Sequence, residues 1–137
     1  MKANELRIGN RLQSGKYEII VGPAFFTAFD NYDFENGKVG VLKPEIQPIP
    51  ITEKPLLKFG FKLIDLTTHR VFDIAYNDRD NIVRTFRVII VDNGVWFIID
   101  RSVGDGTRMG INLGTFHYVH ELQNLYFALT GKELISK

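Results

Sequence analysis

The sequence predicts one α+β domain spanning residues 1–137. Its architecture is an antiparallel, partly curled or barrel-like sheet of about six strands, with a packed C-terminal helix and one short middle helix. Three observations carry this expectation. Two β-rich runs flank Asn93-Gly94, apolar residues recur at helical spacing from Tyr118 to Leu129, and a short helical stretch with a capping residue and a glycine stop lies between Thr52 and Gly60.

From the N-terminus, Leu6 to Gly22 reads as a strand, a turn over Gln13-Ser14-Gly15-Lys16, and a second strand Tyr17-Glu18-Ile19-Ile20-Val21 stopped by Gly22-Pro23. Phe25, Phe26, Phe29 and Tyr32 fit helical and strand spacing equally well, so both readings of Ala24 to Asp33 stand. Asn36-Gly37 marks a turn before a strand from Lys38 to Leu42. Pro44, Pro48 and Pro50 then impose an extended connection, because proline cannot donate to a ladder.

Thr52 is placed to cap a short helix from Glu53 to Phe59. Pro55 falls in its first turn, where an N–H would have no intrahelical partner, and Gly60 supplies the left-handed residue that ends it. Phe61 to Leu66 and Val71 to Tyr76 read as strands around Thr67-Thr68-His69-Arg70, and Asn77 to Asn81 as a polar loop.

Phe86 to Arg101 carries the clearest local signal, with Asn93-Gly94 as the centre of a type I′ hairpin turn. That turn predicts a register in which Val91 faces Trp96, Ile89 faces Ile98, and Arg87 faces Asp100 as an opposite-charge pair. Alternation puts Ile89, Val91, Trp96 and Ile98 on one face and Val88, Ile90, Phe97 and Ile99 on the other. Both faces are apolar. The hairpin therefore calls for cover on two sides, from a helix and from a second layer or a second subunit, and self-association is expected.

Ser102 to Thr115 contains Gly104, Gly106, Gly110 and Gly114 and reads as a loop or irregular hairpin. The last element is a helix from Tyr118 to Thr130, ended by Gly131. Its predicted core stripe is Tyr118, Leu122, Leu125, Tyr126 and Leu129, with His117, His120, Glu121 and Asn124 mainly off it.

Composition sets outer bounds. With 45% hydrophobic and 24% charged residues the chain is globular rather than disordered. It has no cysteine, which removes disulfides, thiolate zinc sites, iron–sulfur clusters and thiol nucleophiles. A net charge of +1 gives no global field toward nucleic acid or anionic lipid. No apolar run has bilayer length and the charged start MKANELRIGN is unlike a secretory signal, so the expectation is a cytoplasmic protein without a membrane partner.

Three segments resemble a family of small uncharacterised proteins encoded in bacterial and bacteriophage genomes. They are Glu5-Leu6-Arg7-Ile8-Gly9-Asn10, the middle Pro48-Ile49-Pro50-Ile51-Thr52-Glu53 with Leu56-Leu57-Lys58-Phe59-Gly60-Phe61, and the closing block from Val119-His120-Glu121-Leu122-Gln123-Asn124 through Leu125-Tyr126-Phe127-Ala128-Leu129-Thr130-Gly131-Lys132-Glu133-Leu134. The resemblance implies no known activity and no assigned site residues.

Each motif with chemical potential is weak beside its plain alternative. Gly104-Asp105-Gly106 and Gly110 offer backbone N–H groups to an anion, but the Gly-Lys-Ser/Thr of a phosphate loop is missing. His117 and His120 share a helical face near Glu121, yet a third metal ligand would have to come from His69 or a distant carboxylate, so they read as surface or capping histidines. Asp73, Asp78 and Asp80 lack the glycine and distal glutamate of a calcium loop. No G-x-S-x-G elbow marks a serine nucleophile. No catalytic residue, metal site or cofactor is therefore assigned. Arginines interleaved with aromatics in the C-terminal half give the runner-up reading, a nucleic-acid-binding module using Arg79, Arg84 and Arg108. The leading expectation is a non-enzymatic accessory or interaction protein of phage or mobile-element origin, with a protein partner or a second copy of itself. A small-molecule enzyme ranks third.

Overall fold

The structure is a computed structural model and describes residues 1–34, 40–65, 69–77, 81–92, 94–102 and 108–135. It is α+β, with two antiparallel sheets, a short middle helix and a C-terminal helix, and neither sheet closes into a barrel. The chain divides into two compact units. One comprises Met1–Pro50 with Tyr118–Leu125, the other Ile51–His117 with Tyr126–Lys137.

The first unit is built on β1 (Arg11–Ser14), β2 (Tyr17–Ile20) and β3 (Ile46–Pro48), in the order β2-β1-β3. Ser14 pairs with Tyr17, so Gly15-Lys16 is a two-residue turn, and Gly15 at φ 58° supplies the positive φ that a type II′ hairpin needs at its first central position. The proline-rich stretch read as a bare connection contains a strand. β3 lies at a sheet edge, where the missing N–H of Pro48 costs no ladder bond. The phenylalanine run is neither an α-helix nor a strand; it makes two 3-10 turns, Phe25–Thr27 and Phe29–Asn31. Of the strand expected at Lys38 to Leu42, residues 38 and 39 lie outside the described residues, and Val41 and Leu42 make isolated bridges to Lys2 and Tyr32. Leu12, Val21, Phe25, Leu42 and Ile46 form this unit's core, with Leu6, Ile19 and Tyr32 packed against it.

The second unit holds α1 (Glu53–Lys58) and a five-stranded meander: β4 (Lys62–Asp65), β5 (Arg70–Asn77), β6 (Val83–Val91), β7 (Gly94–Ser102) and β8 (Arg108–Phe116). Thr52 stands extended at the N-cap of α1 without a side-chain capping bond. At the other end the predicted glycine stop is a Schellman motif. The Phe61 N–H donates to the Leu56 carbonyl and the Gly60 N–H to the Leu57 carbonyl, with Gly60 at φ 92° and Leu56 and Phe61 both buried.

The β6–β7 hairpin forms with a different register. Val91 pairs with Gly94, Ile89 with Trp96 and Arg87 with Ile98, so Gly94 opens β7, and Asn93 of the expected turn lies outside the described residues. Arg87 is consequently not opposite Asp100. Its partner is Asp73, directly across on β5, with Nε and an Nη donating to the two carboxylate oxygens at 2.7 and 2.8 Å. The slip is two residues, which leaves the two faces as alternation gives them. Phe86, Val88, Val95 and Phe97 are buried on one face, while Arg87 is exposed on the other. Ring packing favours this register: Phe97 stacks on Phe116 at 4.7 Å and lies 5.7 Å from Phe86, which meets Phe61 and Tyr126 at 6.3 and 6.1 Å.

Of the glycine-rich stretch, residues 103–107 lie outside the described residues, and the rest forms the irregular hairpin that is one of its two readings. β8 pairs along β7 from Ser102–Arg108 to Val95–Phe116, with a one-residue shift where Phe97 pairs with Gly114 and Ile98 with Asn112. Glycines weaken a strand, but Gly110 and Gly114 sit beside the nine-residue β7, and Gly114 marks the irregularity. The C-terminal helix α2 is Val119–Thr130, and Gly131 at φ 72° follows it, its N–H bonded to the Phe127 carbonyl. Its buried stripe is turned from the predicted one. Val119, Leu122, Gln123, Tyr126 and Thr130 are buried, whereas Tyr118 is exposed and Leu125 and Leu129 are partly so.

Candidate functional site

Within the first unit, an amide seam joins the start of the chain to the first half of α2. Gly9 and Asn10 stand together opposite Val21: the Gly9 N–H donates to the Val21 carbonyl, and the Val21 N–H donates to the Asn10 carbonyl. Two against one is a bulge, and it leaves backbone groups aimed away from the ladder. The Gln123 side chain takes them up. Its Nε2 donates to the Gly9 carbonyl at 3.0 Å and its Oε1 accepts from the Arg11 N–H at 2.9 Å, so one side-chain amide stands in for a neighbouring strand residue. Asn10 accepts from the Arg7 N–H and donates to Asn124 Oδ1 at 2.9 Å, and Asn124 donates to the Glu5 carbonyl at 3.0 Å. Asn10 and Gln123 are fully buried. These are residues of the opening and closing segments quoted above, and the structure uses them to hold the fold.

Beside the seam, His120 is buried, with its ring stacked on Tyr118 at 6.0 Å and its Nδ1 without a hydrogen-bond partner. This overturns the reading of His120 as a surface histidine. Burial lowers its pKa below the usual 6.5, opposed by the nearby carboxylates of Glu121 and Glu5 and aided by the N-terminal ammonium group. His117 is exposed. Among the described residues no three His, Asp or Glu side chains stand close enough to hold a metal ion.

The surface of the first unit offers a different arrangement. Among the described residues β2 is an edge strand, and two of its large apolar side chains face solvent: Tyr17 is 67% and Ile20 59% exposed, with Ile8 also exposed. Both backbone groups of Val21 bond toward β1, so strand alternation turns those of Ile19 and Tyr17 the same way and those of Glu18 and Ile20 outward. At the tip of the hairpin a shallow groove of about 670 Å³ is lined by Ser14, Gly15, Lys16, Tyr17, Glu45 and Gln47. Lys16 Nζ lies 5.5 Å from the Tyr17 ring centroid, and Glu18 is tied to Arg11 on β1.

Family models, curated proteins and solved structures give no match to this chain.

Of the arginines read as a nucleic-acid patch, Arg79 lies outside the described residues. Arg84 is the second residue of β6 and Arg108 the first of β8, at one end of the meander and two strands apart. Arg84 is half-buried and registered opposite Tyr76. Other arginines are neutralised: Arg87 by Asp73, Arg70 by Glu53 at 3.5 Å, and Arg11 by Glu18. The Gly104–Gly106 and Asp78–Asp80 stretches also lie outside the described residues. Sequence reasoning missed the open edge. It found the hairpin, but which flank of β1 stays uncovered depends on where β3, some thirty residues on, adds to the sheet.

Proposed function

We propose that the protein is a non-enzymatic interaction module that accepts an extended protein segment along the open edge of β2. The carrying observation is the outward-facing backbone of Glu18 and Ile20 flanked by the exposed Tyr17 and Ile20 side chains. Main-chain bonds along such an edge supply affinity, and the flanking side chains supply selectivity. The resemblance of the opening and closing segments to bacterial and bacteriophage proteins supports an accessory role of phage or mobile-element origin. That the resemblance-bearing residues near the N-terminus are spent on the buried amide seam fits a scaffold whose contact surface lies elsewhere.

A peptide-display selection against the wild-type chain and a Tyr17→Ser/Ile20→Lys variant tests this reading. The wild type should enrich extended, β-prone peptides, and the variant, with an unchanged circular dichroism spectrum, should lose them. Identical enrichment by both proteins would remove β2 as the contact surface.

A further inference from the structure

Resting on the reading of β2 as a contact edge, we propose that the strand it accepts is β2 of a second copy. The two copies pair antiparallel about a two-fold axis at Ile19, giving a continuous six-stranded sheet in the order β3-β1-β2-β2-β1-β3. An edge strand exposes a row of unpaired donors and acceptors, and natural sheets protect such rows with proline, bulges or charge. β3, at one flank of the three-stranded sheet, is protected: it ends on Pro48 and is bracketed by Pro44 and Pro50. β2, at the other, has the β-prone sequence Tyr17-Glu18-Ile19-Ile20 with no proline and no bulge within its pairing to β1, and its one charge, Glu18, is paired with Arg11 of β1.

The register follows from which backbone groups are free. Only Glu18 and Ile20 of β2 turn their N–H and C=O outward, so a two-fold pairing must set these residues against each other. Three axes do so. An axis at Glu18 places the carboxylate opposite its own copy, a like-charge contact that destabilises a strand pair. An axis at Ile20 sets Glu18 against Gly22, whose carbonyl is already taken by the Phe25 N–H, and runs the ladder into Pro23. An axis at Ile19 sets Glu18 against Ile20 of the second copy and Ile20 against its Glu18, both with free backbone groups and no like charges opposed. In that register Tyr17 lies across from Val21 of the second copy and Lys16 from its Gly22. A side chain at Gly22 would meet nothing within 4 Å, which leaves room for the lysine.

The same pairing sets Ile20, on the sheet face opposite the core, beside Glu18 of the second copy, and brings two copies of Ile19 together on the core face. The interface is short, four residues on each side, so association belongs to the weak, concentration-dependent class.

The chain has no cysteine, so single cysteines report one contact each. An axis at Ile19 sets this residue against its own copy at a non-hydrogen-bonded position, where opposed Cα atoms lie about 4.5 Å apart, within reach of a disulfide. Ile19→Cys protein in a glutathione redox buffer should form a covalent dimer several-fold more readily than Glu18→Cys or Ile20→Cys protein. Sedimentation of the unmodified chain should show a monomer–dimer equilibrium between about 1 and 500 µM. Preferential cross-linking of Glu18→Cys or of Ile20→Cys with itself would overturn the Ile19 axis. A monomer throughout the range, with equal cross-linking of every variant, would overturn self-pairing. If peptides selected through Tyr17 and Ile20 still bind that monomer, the interaction reading stands and the strand comes from another protein.

Discussion

The two halves of α2 are held by different forces. Val119 to Leu125 belongs to the first unit, where Gln123 and Asn124 fasten the helix to Glu5, Gly9, Asn10 and Arg11 by directional hydrogen bonds. Tyr126 to Thr130 belongs to the second unit, where the Tyr126 ring meets Phe86 and Tyr76 edge-on at 6.1 and 6.2 Å. Apolar packing is non-directional and scales with buried area, so the aromatic half tolerates small shifts but not loss of volume. A satisfied buried amide contributes little net energy, yet leaves costly orphans when removed, so the seam half depends on chemistry rather than size.

The sharpest break of this comparison is a cavity in the aromatic half. Phe86 is fully buried and touches the rings of Phe61, Phe97 and Tyr126, so Phe86→Ala should cost about 3–5 kcal/mol, read from the denaturant midpoint. In the seam, Gln123→Met keeps the volume but strands the Gly9 carbonyl and the Arg11 N–H. It should cost about 2–4 kcal/mol, and a cost under 1 kcal/mol would show that shape alone holds this half. Asn124→Ala, at the partly buried rim, should cost about 1–2 kcal/mol, because it frees Asn10 Nδ2 and the Glu5 carbonyl together.

The smallest effect is set by pH. Folded His120 binds its proton less readily than an unfolded histidine, so below the ordinary value of 6.5 the unfolded state takes up protons that the folded state resists. His120 therefore lowers stability as pH falls from 6.5 toward its depressed folded value, and has no effect above that window. Unfolding curves measured from neutral to mildly acidic pH should show this decline, and His120→Leu should flatten it. The Glu5 and Glu121 carboxylates beside His120 moderate the decline.

Much of the local structure was readable along the chain. The hairpin at Gly15, the glycine stop at Gly60 and the bounds of α2 each rest on a residue whose conformational preference acts without distant help. The faces of β6 and β7 were equally readable, since alternation depends only on parity. Their register was not, because a two-residue slip preserves that parity and the ring contact of Phe97 with Phe86 favours one alignment over the other. The candidate edge was half readable: Tyr17 to Ile20 announced a strand, but not one with an open flank.

The sequence by itself determined the turn at Gly15, the stop at Gly60, the closing helix and which residues of β6 and β7 share a face, because these follow from backbone sterics and side-chain period. Tertiary structure alone decided that Gln123 and His120 are buried, that Arg87 pairs with Asp73, that β3 lines one side of β1 and that β2 is left open on the other. The physical reason is common to all four: each depends on a partner distant in sequence, and local propensity carries no information about which distant groups a residue will meet.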